Sequence, residues 1–394
     1  MNRRLVWVDW LKGLVVFGVV AYHAAQPFVV TDWLVTNEER SLLLSGLAGV
    51  GYLFAMPLMF LLAGVASMLA IQRRSVRAYL GVRLLRLGLP LVVGLLLLSP
   101  FESWVGHLSR GGSDAFLAFS VAQLQDAGIG PSPVWLGAYG HHLWFLGFLL
   151  AYVLLSLPVL VWLRDRPPAD LAGRLGTAGF VLVPPAVMAL AQWPLRAAFP
   201  AYRDWADAIL WLGYYGIGVL FVLDHRLIAM AGRVGPRMLV PGVLLVVLLA
   251  PIALSGDIWR FEATPRVDVA GLAYAVARTG IGWSLVLAVL SLGILRLDRW
   301  EAAGRRVGES SMALYVLHHP VAVVASAVVV SSDLGLWTKF LLTATVTFAV
   351  TGALYEGVVR RVAVLRGVFG VEPPTAEPSE LPPGLSIDPE GAHR

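Results

Sequence analysis

No cysteine occurs anywhere in the 394 residues. Disulfides, thiolate nucleophiles, Cys–zinc sites and iron–sulfur clusters are therefore excluded, and nothing firm follows about redox compartment. Charge is scarce too: Asp, Glu, Lys and Arg make up 14% of the chain against 58% hydrophobic residues, with a mean hydropathy of +0.75. Soluble globular chains are about a quarter charged and about half apolar. This composition excludes an ordinary soluble enzyme, a disordered regulator and a coiled coil, and leaves a polytopic membrane protein. Two catalytic signatures are also missing. There is no Gly-x-Ser-x-Gly elbow and no His-Glu-x-x-His pair, so a soluble-type serine hydrolase or a zincin has no support. No internal repeat and no second soluble domain is visible. The net charge of +5 and pI near 9.6 would suggest nucleic acid in a soluble protein. Here the cations lie in alternate loops between apolar runs, so no nucleic-acid partner is expected.

Those apolar runs are long enough to cross lipid as helices, each span taking about 20 residues. They predict ten: Val6–Phe28, Gly46–Ile71, Val82–Ser99, Leu143–Leu163, Gly176–Trp193, Ala206–Leu223, Met238–Ser255, Gly271–Leu295, Ser310–Val330 and Trp337–Val359. With ten spans both termini lie on one side, and that side collects 21 of the 30 Lys and Arg, including Arg73, Arg74, Arg77, Arg83 and Arg86. Seven fall opposite, and Lys12 and Arg278 fall inside spans. The positive-inside rule then makes both termini cytoplasmic. The first run is too long and too polar for a cleaved signal peptide. The expected domain plan is a ten-helix membrane domain over 1–370 and a Pro- and Glu-rich tail, disordered and cytoplasmic, over 371–394. The stretch Pro100–His141 reads as the largest outer loop, rich in Gly, Ser and aromatics, and as a partial lid.

Ionisable groups inside spans cost several kcal/mol unless paired or wetted, so they carry the information. Asp9 and Lys12 stand at i,i+3 near the cytoplasmic end of the first span and can pair. His23 follows eleven residues later, about 16 Å along the axis and in the outer half of the membrane. It is either a packing histidine bonded to a carbonyl or a general base that works near neutral pH. His141 and His142 open the fourth span. As helix neighbours about 100° apart they do not chelate one metal together; one faces the bundle and the other the interface, and Trp144 and Phe145 after them read as an aromatic belt. No metal site is predicted. In the ninth span Ser311, Tyr315 and His318 share a face, and Pro320 kinks the helix and frees backbone carbonyls. That stripe serves either helix–helix hydrogen bonding or a cavity wall. Arg278, about 12 Å deep, needs a protein carboxylate, a substrate anion or water. Arg83 and Arg86 share a face at i,i+3 and clamp phosphate or carboxylate, or simply signal topology. Glu356 in the last span can pair with nearby arginines.

In this order the fragments resemble the acyltransferase-3 family of integral membrane acyltransferases. The matching pieces are Asp9-x-x-Lys12-Gly13 with His23, Arg83-x-x-Arg86 with a following proline, and the serine–tyrosine–histidine segment of the ninth span. Within the family the chain looks most like the glucan O-succinyltransferase branch. That rests on His142-Leu-Trp-Phe-Leu146, Tyr315-Val-Leu-His-His-Pro320 and Leu354-Tyr355-Glu356.

The resemblance implies transfer of an acyl group, succinyl or acetyl, from a cytoplasmic acyl-CoA to a hydroxyl of an extracytoplasmic glucan or other glycan, in a bacterial inner membrane. Acyl-CoA is a co-substrate and no bound cofactor is implied. His23 maps to the family's essential first-span histidine, with Asp9 and Lys12 in the same motif, and Arg83 and Arg86 to its donor-binding pair. The family usually has Arg where this chain has Lys12, which keeps charge but loses bidentate geometry. His142, Arg278, Tyr315 and His318 are left to orient the acceptor or stabilise charge. Two other classes compete: a secondary transporter or flippase for a sugar or anion, in which Arg278 and the histidines serve an ion path, and a structural subunit of an envelope complex. The absence of matched inverted halves counts against the transporter.

Overall fold

The computed structural model describes residues 5–168, 170–255, 262–298 and 300–371. The tail expected to be disordered lies, but for Val371, outside the described residues, as do Arg3, Arg4, Arg260, Arg299 and Arg394. Among the described residues there is helix and turn and no strand. Among the same residues nine helices are long and apolar enough to cross a membrane: α1 (Val6–Phe28), α2 (Leu42–Arg73), α3 (Val76–Ser109), α5 (Leu171–Ala198), α6 (Trp205–Leu223), α7 (Arg226–Leu254), α8 (Val269–Leu297), α9 (Glu301–Val330) and α10 (Leu336–Val359). The tenth, α4, is a pair, His141–Leu155 and Leu157–Asp165, bent by 50° where Ser156 and Pro158 interrupt it. All ten expected spans have a counterpart.

Caps mark several starts. The Ser41 hydroxyl accepts from the Leu44 amide at the head of α2, and Asp268 accepts from Gly271 at the head of α8. Such side chains satisfy amides that the first helical turn leaves orphaned. Inside α5, Gly176 sits at φ +59, a conformation side-chain-bearing residues rarely adopt, and the helix turns there.

Glycines let the central helices touch backbone to backbone. A Cβ on Gly64 of α2 would fall 2.0 Å from the Tyr215 carbonyl oxygen, and one on Gly218 of α6 1.9 Å from that of Leu61. On α9, Gly304 and Gly308 leave room for the Trp10 and Asp9 side chains of α1. Without a hydrophobic drive between helices in lipid, close van der Waals approach of this kind holds them together. α1 is enclosed by α2, α9 and α10, while α7 packs mainly on α8. Only 6% of the apolar stretch of α7 is buried, against 61% for α2 and α9, so α7 presents its aliphatic side chains outward as a lipid-facing helix does.

One expectation needs correction. Pro100 does not end the third span: α3 continues to Ser109, and a further helix, Phe116–Gln125, packs on its end. Pro is accommodated in the first turn of a helical segment because that turn lacks an amide acceptor, and here two π-helical turns, Leu84–Gly88 and Gly94–Leu98, lead into it. The stretch read as a loop is therefore largely helix. α9 runs as helix through Pro320, over Glu301–Val330.

One ion pair ties the α6–α7 corner to α5. The Asp224 carboxylate accepts from Arg226 Nε and Nη2, both at 2.8 Å, and from the Ala172 amide at 2.9 Å. The Arg226 hydrogen bond, reinforced by the amide, holds the Asp224 carboxyl down at about 2. Its folded pKa lies below the unfolded one, so the stabilisation is complete above about pH 4 and vanishes as pH falls through about 2. Asp224→Asn is expected to lower the melting temperature in detergent at pH 7 and to leave it nearly unchanged at pH 2, as differential scanning fluorimetry reads.

Candidate active site

Three helices bring imidazoles together at one level of the bundle. His23 comes from the last turn of α1, His142 from the 3-10 turn that opens α4, and His318 and His319 from the middle of α9. Glu102 joins them from the outer part of α3. The His23 ring centroid lies 5.0 Å from that of His318, 4.6 Å from His319 and 6.5 Å from His142. His142, His318 and His319 are closed off from solvent, and His23 is half-buried.

Hydrogen bonds assign the tautomers of three rings. His318 Nδ1–H donates to the Leu314 carbonyl at 3.1 Å, which leaves its Nε2 as an acceptor. His23 Nδ1 lies 3.0 Å from that Nε2 and 3.0 Å from the Val19 carbonyl, so it is the protonated nitrogen and donates. His23 Nε2 then carries the lone pair. A base oriented by a third group in this way is the arrangement that activates hydroxyl nucleophiles. His142 Nε2–H donates to the Val316 carbonyl at 3.1 Å. Val316 is four residues before Pro320, whose missing amide frees that carbonyl. The expected release of a backbone carbonyl thus occurs. The Tyr315 hydroxyl donates to the His142 carbonyl. Ser311, on the same face, donates to Val307 and lies against Gly13.

His142 and His141 depart from the expected division between bundle and interface. His142 points into the bundle, but His141 stacks on His319 at 5.9 Å and bonds Ser103 at 2.7 Å. His141 adopts φ +48 and its carbonyl accepts from Arg203 Nη1 at 3.2 Å, the contact that holds this uncommon conformation. Trp144 and Phe145 are not an aromatic belt. Both are buried, Trp144 stacking on Trp211 at 4.5 Å, because the helix continues inward from a site that already lies within the bundle.

The remaining sequence candidates lie elsewhere. Asp9 and Lys12 stand 14 and 11 residues before His23 on the same helix, roughly 21 and 16 Å along the axis. Asp9 is buried against Gly308. Arg83 and Arg86 do not share one face. The π-helical turn at Leu84–Gly88 rotates side chains less per residue than an α-helix, and the two diverge. Arg83 bonds the Ser67 hydroxyl at 3.4 Å and overlies the Tyr79 ring, whereas Arg86 Nε donates to the Gly370 carbonyl at 3.4 Å. Glu356 pairs with Arg360 at 2.6 Å.

Arg278 finds protein partners: Glu262 at 3.5 Å, Asp207 at 3.7 Å and the Tyr52 hydroxyl at 3.1 Å. Asp207 also pairs with Arg196 and accepts from the Arg203 amide. Two small cavities flank Arg278, one bordered by Tyr52, Trp211 and Tyr214, the other by Trp193, Arg196, Glu262 and Tyr274; no histidine of the cluster lines either.

Sequence reasoning missed Glu102 and His319. Glu102 was hidden by the proline two residues before it, and His319 by its more obviously placed neighbour His318. The available signal was the Ser-Pro-Phe-Glu run directly after an apolar span.

Comparison with known proteins places this arrangement. The acyltransferase domain of the acyltransferase-3 family matches residues 5–356, nearly the whole chain and every residue of the cluster. The chain is similar to glucans biosynthesis protein C of Escherichia coli O81 (strain ED1a), 20% identical over 389 residues that cover 94% of this chain and 95% of that protein. It is 23% identical over 402 residues to the protein of the same name from Salmonella paratyphi A (strain ATCC 9150 / SARB42), with coverage of 95% and 97%. No solved structure matches it. With nine membrane-length helices and a bent pair among the described residues, and a domain match from one end of the bundle to the other, the chain belongs to the acyltransferase-3 family and is a multi-pass membrane acyltransferase.

Proposed function

We propose that this acyltransferase moves an acyl group, succinyl or acetyl, from acyl-CoA on the arginine-rich cytoplasmic side to a hydroxyl of a glucan, or a related glycan, on the far side of a bacterial inner membrane. The observation that carries the reading is His23, half-buried at the edge of the cluster with Nδ1–H engaged by His318 and Nε2 left as the base. The names of the similar proteins support the glucan acceptor, and the excess of arginine on the side of both termini supports the orientation.

The chemistry follows from that base. His23 Nε2 takes the proton of the acceptor hydroxyl as its oxygen attacks the thioester carbonyl. The C–S bond breaks, the CoA thiolate leaves, and the imidazolium returns the proton to sulfur; an ester and free CoA result. The developing oxyanion needs donors. Arg203, whose guanidinium lies over the Tyr202 ring at 4.5 Å and bonds the Gly137 and His141 carbonyls, places a cation beside the turn that carries His142. From Arg83 to the level of Glu102 is 19 residues of α3, roughly 28 Å. The donor therefore needs a long flexible arm, and coenzyme A supplies one with phosphates at its far end for Arg83 and Arg86.

A transporter has lost its strongest support, since Arg278 is met by protein carboxylates. The test is mass spectrometry of cell-envelope glycans from cells with and without the protein. Acyl esters present only with the protein are the expected result. Identical glycan profiles from both cells count against the reading.

A further inference from the structure

We propose that Glu102, His142 and His319 form a binding site for a divalent transition-metal ion of the zinc class. Three helices contribute one residue each. Glu102 Oε2 lies 3.1 Å from His319 Nδ1, and Glu102 Oε1 lies 3.6 Å from His142 Nδ1. One ligand atom from each of the three residues falls within 4.8 Å of the others. Two donors on a tetrahedral zinc ion, each at about 2.0–2.1 Å, stand roughly 3.4 Å apart, so these separations are those of a ligand set.

The second observation is independent of proximity. Glu102 Oε1, Glu102 Oε2, His142 Nδ1 and His319 Nδ1 are all buried, and none has a hydrogen-bond partner of acceptable geometry. The Glu102 side chain is fully enclosed and those of His142 and His319 nearly so. A carboxylate and two ring nitrogens left bare against each other inside a membrane protein are costly. A single cation satisfies all of them at once. The tautomer of His142 supports it: Nε2–H is spent on the Val316 carbonyl, so Nδ1 presents a lone pair toward Glu102. A ligand histidine whose other nitrogen donates to a backbone carbonyl is the usual outer-shell pattern of metal sites. The His142 and His319 rings are stacked at 4.5 Å with planes 11° apart, so ligation turns one ring toward the other.

Two imidazoles and one carboxylate leave a coordination position open, as catalytic sites do. The His23 ring is 4.6 Å from that of His319. A use in catalysis rests on the acyl-transfer reading: an ion here would polarise the thioester carbonyl or acceptor oxygen that His23 serves. Binding itself does not depend on it.

The experiment purifies the full-length protein in detergent without a polyhistidine tag, strips it of metal, and adds Zn²⁺ or Co²⁺ before gel filtration and elemental analysis. About one ion per chain is expected, with visible absorption from Co²⁺. Glu102→Gln and His319→Gln are each expected to weaken binding at least tenfold. His107→Ala/Asp114→Ala removes an exposed His–Asp pair and is expected to keep the full stoichiometry. Wild-type protein that retains no ion after either metal overturns the proposal, and so do site variants that bind as wild type does, or binding lost with the His107 and Asp114 pair. The wild-type titration decides even where a site variant fails to fold. Because the readout is bound metal, its failure leaves the acyl-transfer reading to be judged by the glycans.

Discussion

His23→Ala is expected to lower acyl transfer by roughly 10²–10⁴-fold, the range a positioned general base contributes. Protein level and melting temperature should change little. His23 is half-buried, at the C-terminal end of α1, and its contacts are to His318, Val19 and neighbouring rings rather than to the apolar core of the bundle. Truncation removes the base without opening the interior that Leu11, Val15 and Val16 fill on the same helix. Measurement of ester formation by purified protein, beside its thermal transition, separates the two effects. Full activity in the alanine variant would remove His23 from the chemistry.

The second large effect concerns the donor. Arg83→Gln with Arg86→Gln is expected to weaken acyl-CoA binding by roughly 10–100-fold, since a hydrogen bond to a charged group contributes about 1.5–3 kcal/mol. The loss should fall on donor KM more than on kcat, because the pair stands some 28 Å of helix from the base. Arg83 reaches a serine hydroxyl and Arg86 a backbone carbonyl. Titration of a CoA thioester against both proteins checks it. Equal affinity would move the donor site elsewhere among the inner arginines. High salt should weaken wild-type binding and have less effect on the double variant, because the charges that salt screens are gone.

The bundle was readable because lipid imposes it. A chain that must satisfy every backbone group internally shows each span as an apolar run, and all ten runs became helices. Runs are less informative about where helices end. The third span was cut at Ser99 because Pro100 follows, yet α3 proceeds for ten more residues and carries Glu102 into the cluster.

The site was readable residue by residue and not as a constellation. His23, His142, Tyr315 and His318 stand out as polar groups in expensive places, and they do meet. Their meeting depends on how α1, α4 and α9 pack, which spacing along one chain does not contain. Arg278 shows the reverse case. It was conspicuous for the same reason, but its partners Asp207 and Glu262 come from α6 and from the segment just before α8, and which of them it meets depends on packing. Arg83 and Arg86 looked like a clamp at α-helical spacing, and a local widening of the helix separates them.

Sided transfer in proteoliposomes tests the central claim most directly. Protein is inserted in one orientation, acetyl-CoA or succinyl-CoA is supplied on the side of the arginine clusters, and a glucan is sealed on the other. Acylated glucan on the side opposite the donor, abolished by His23→Ala, is the expected result. Ester formed only when donor and glucan share a compartment, or passage of glucan without ester, would contradict it.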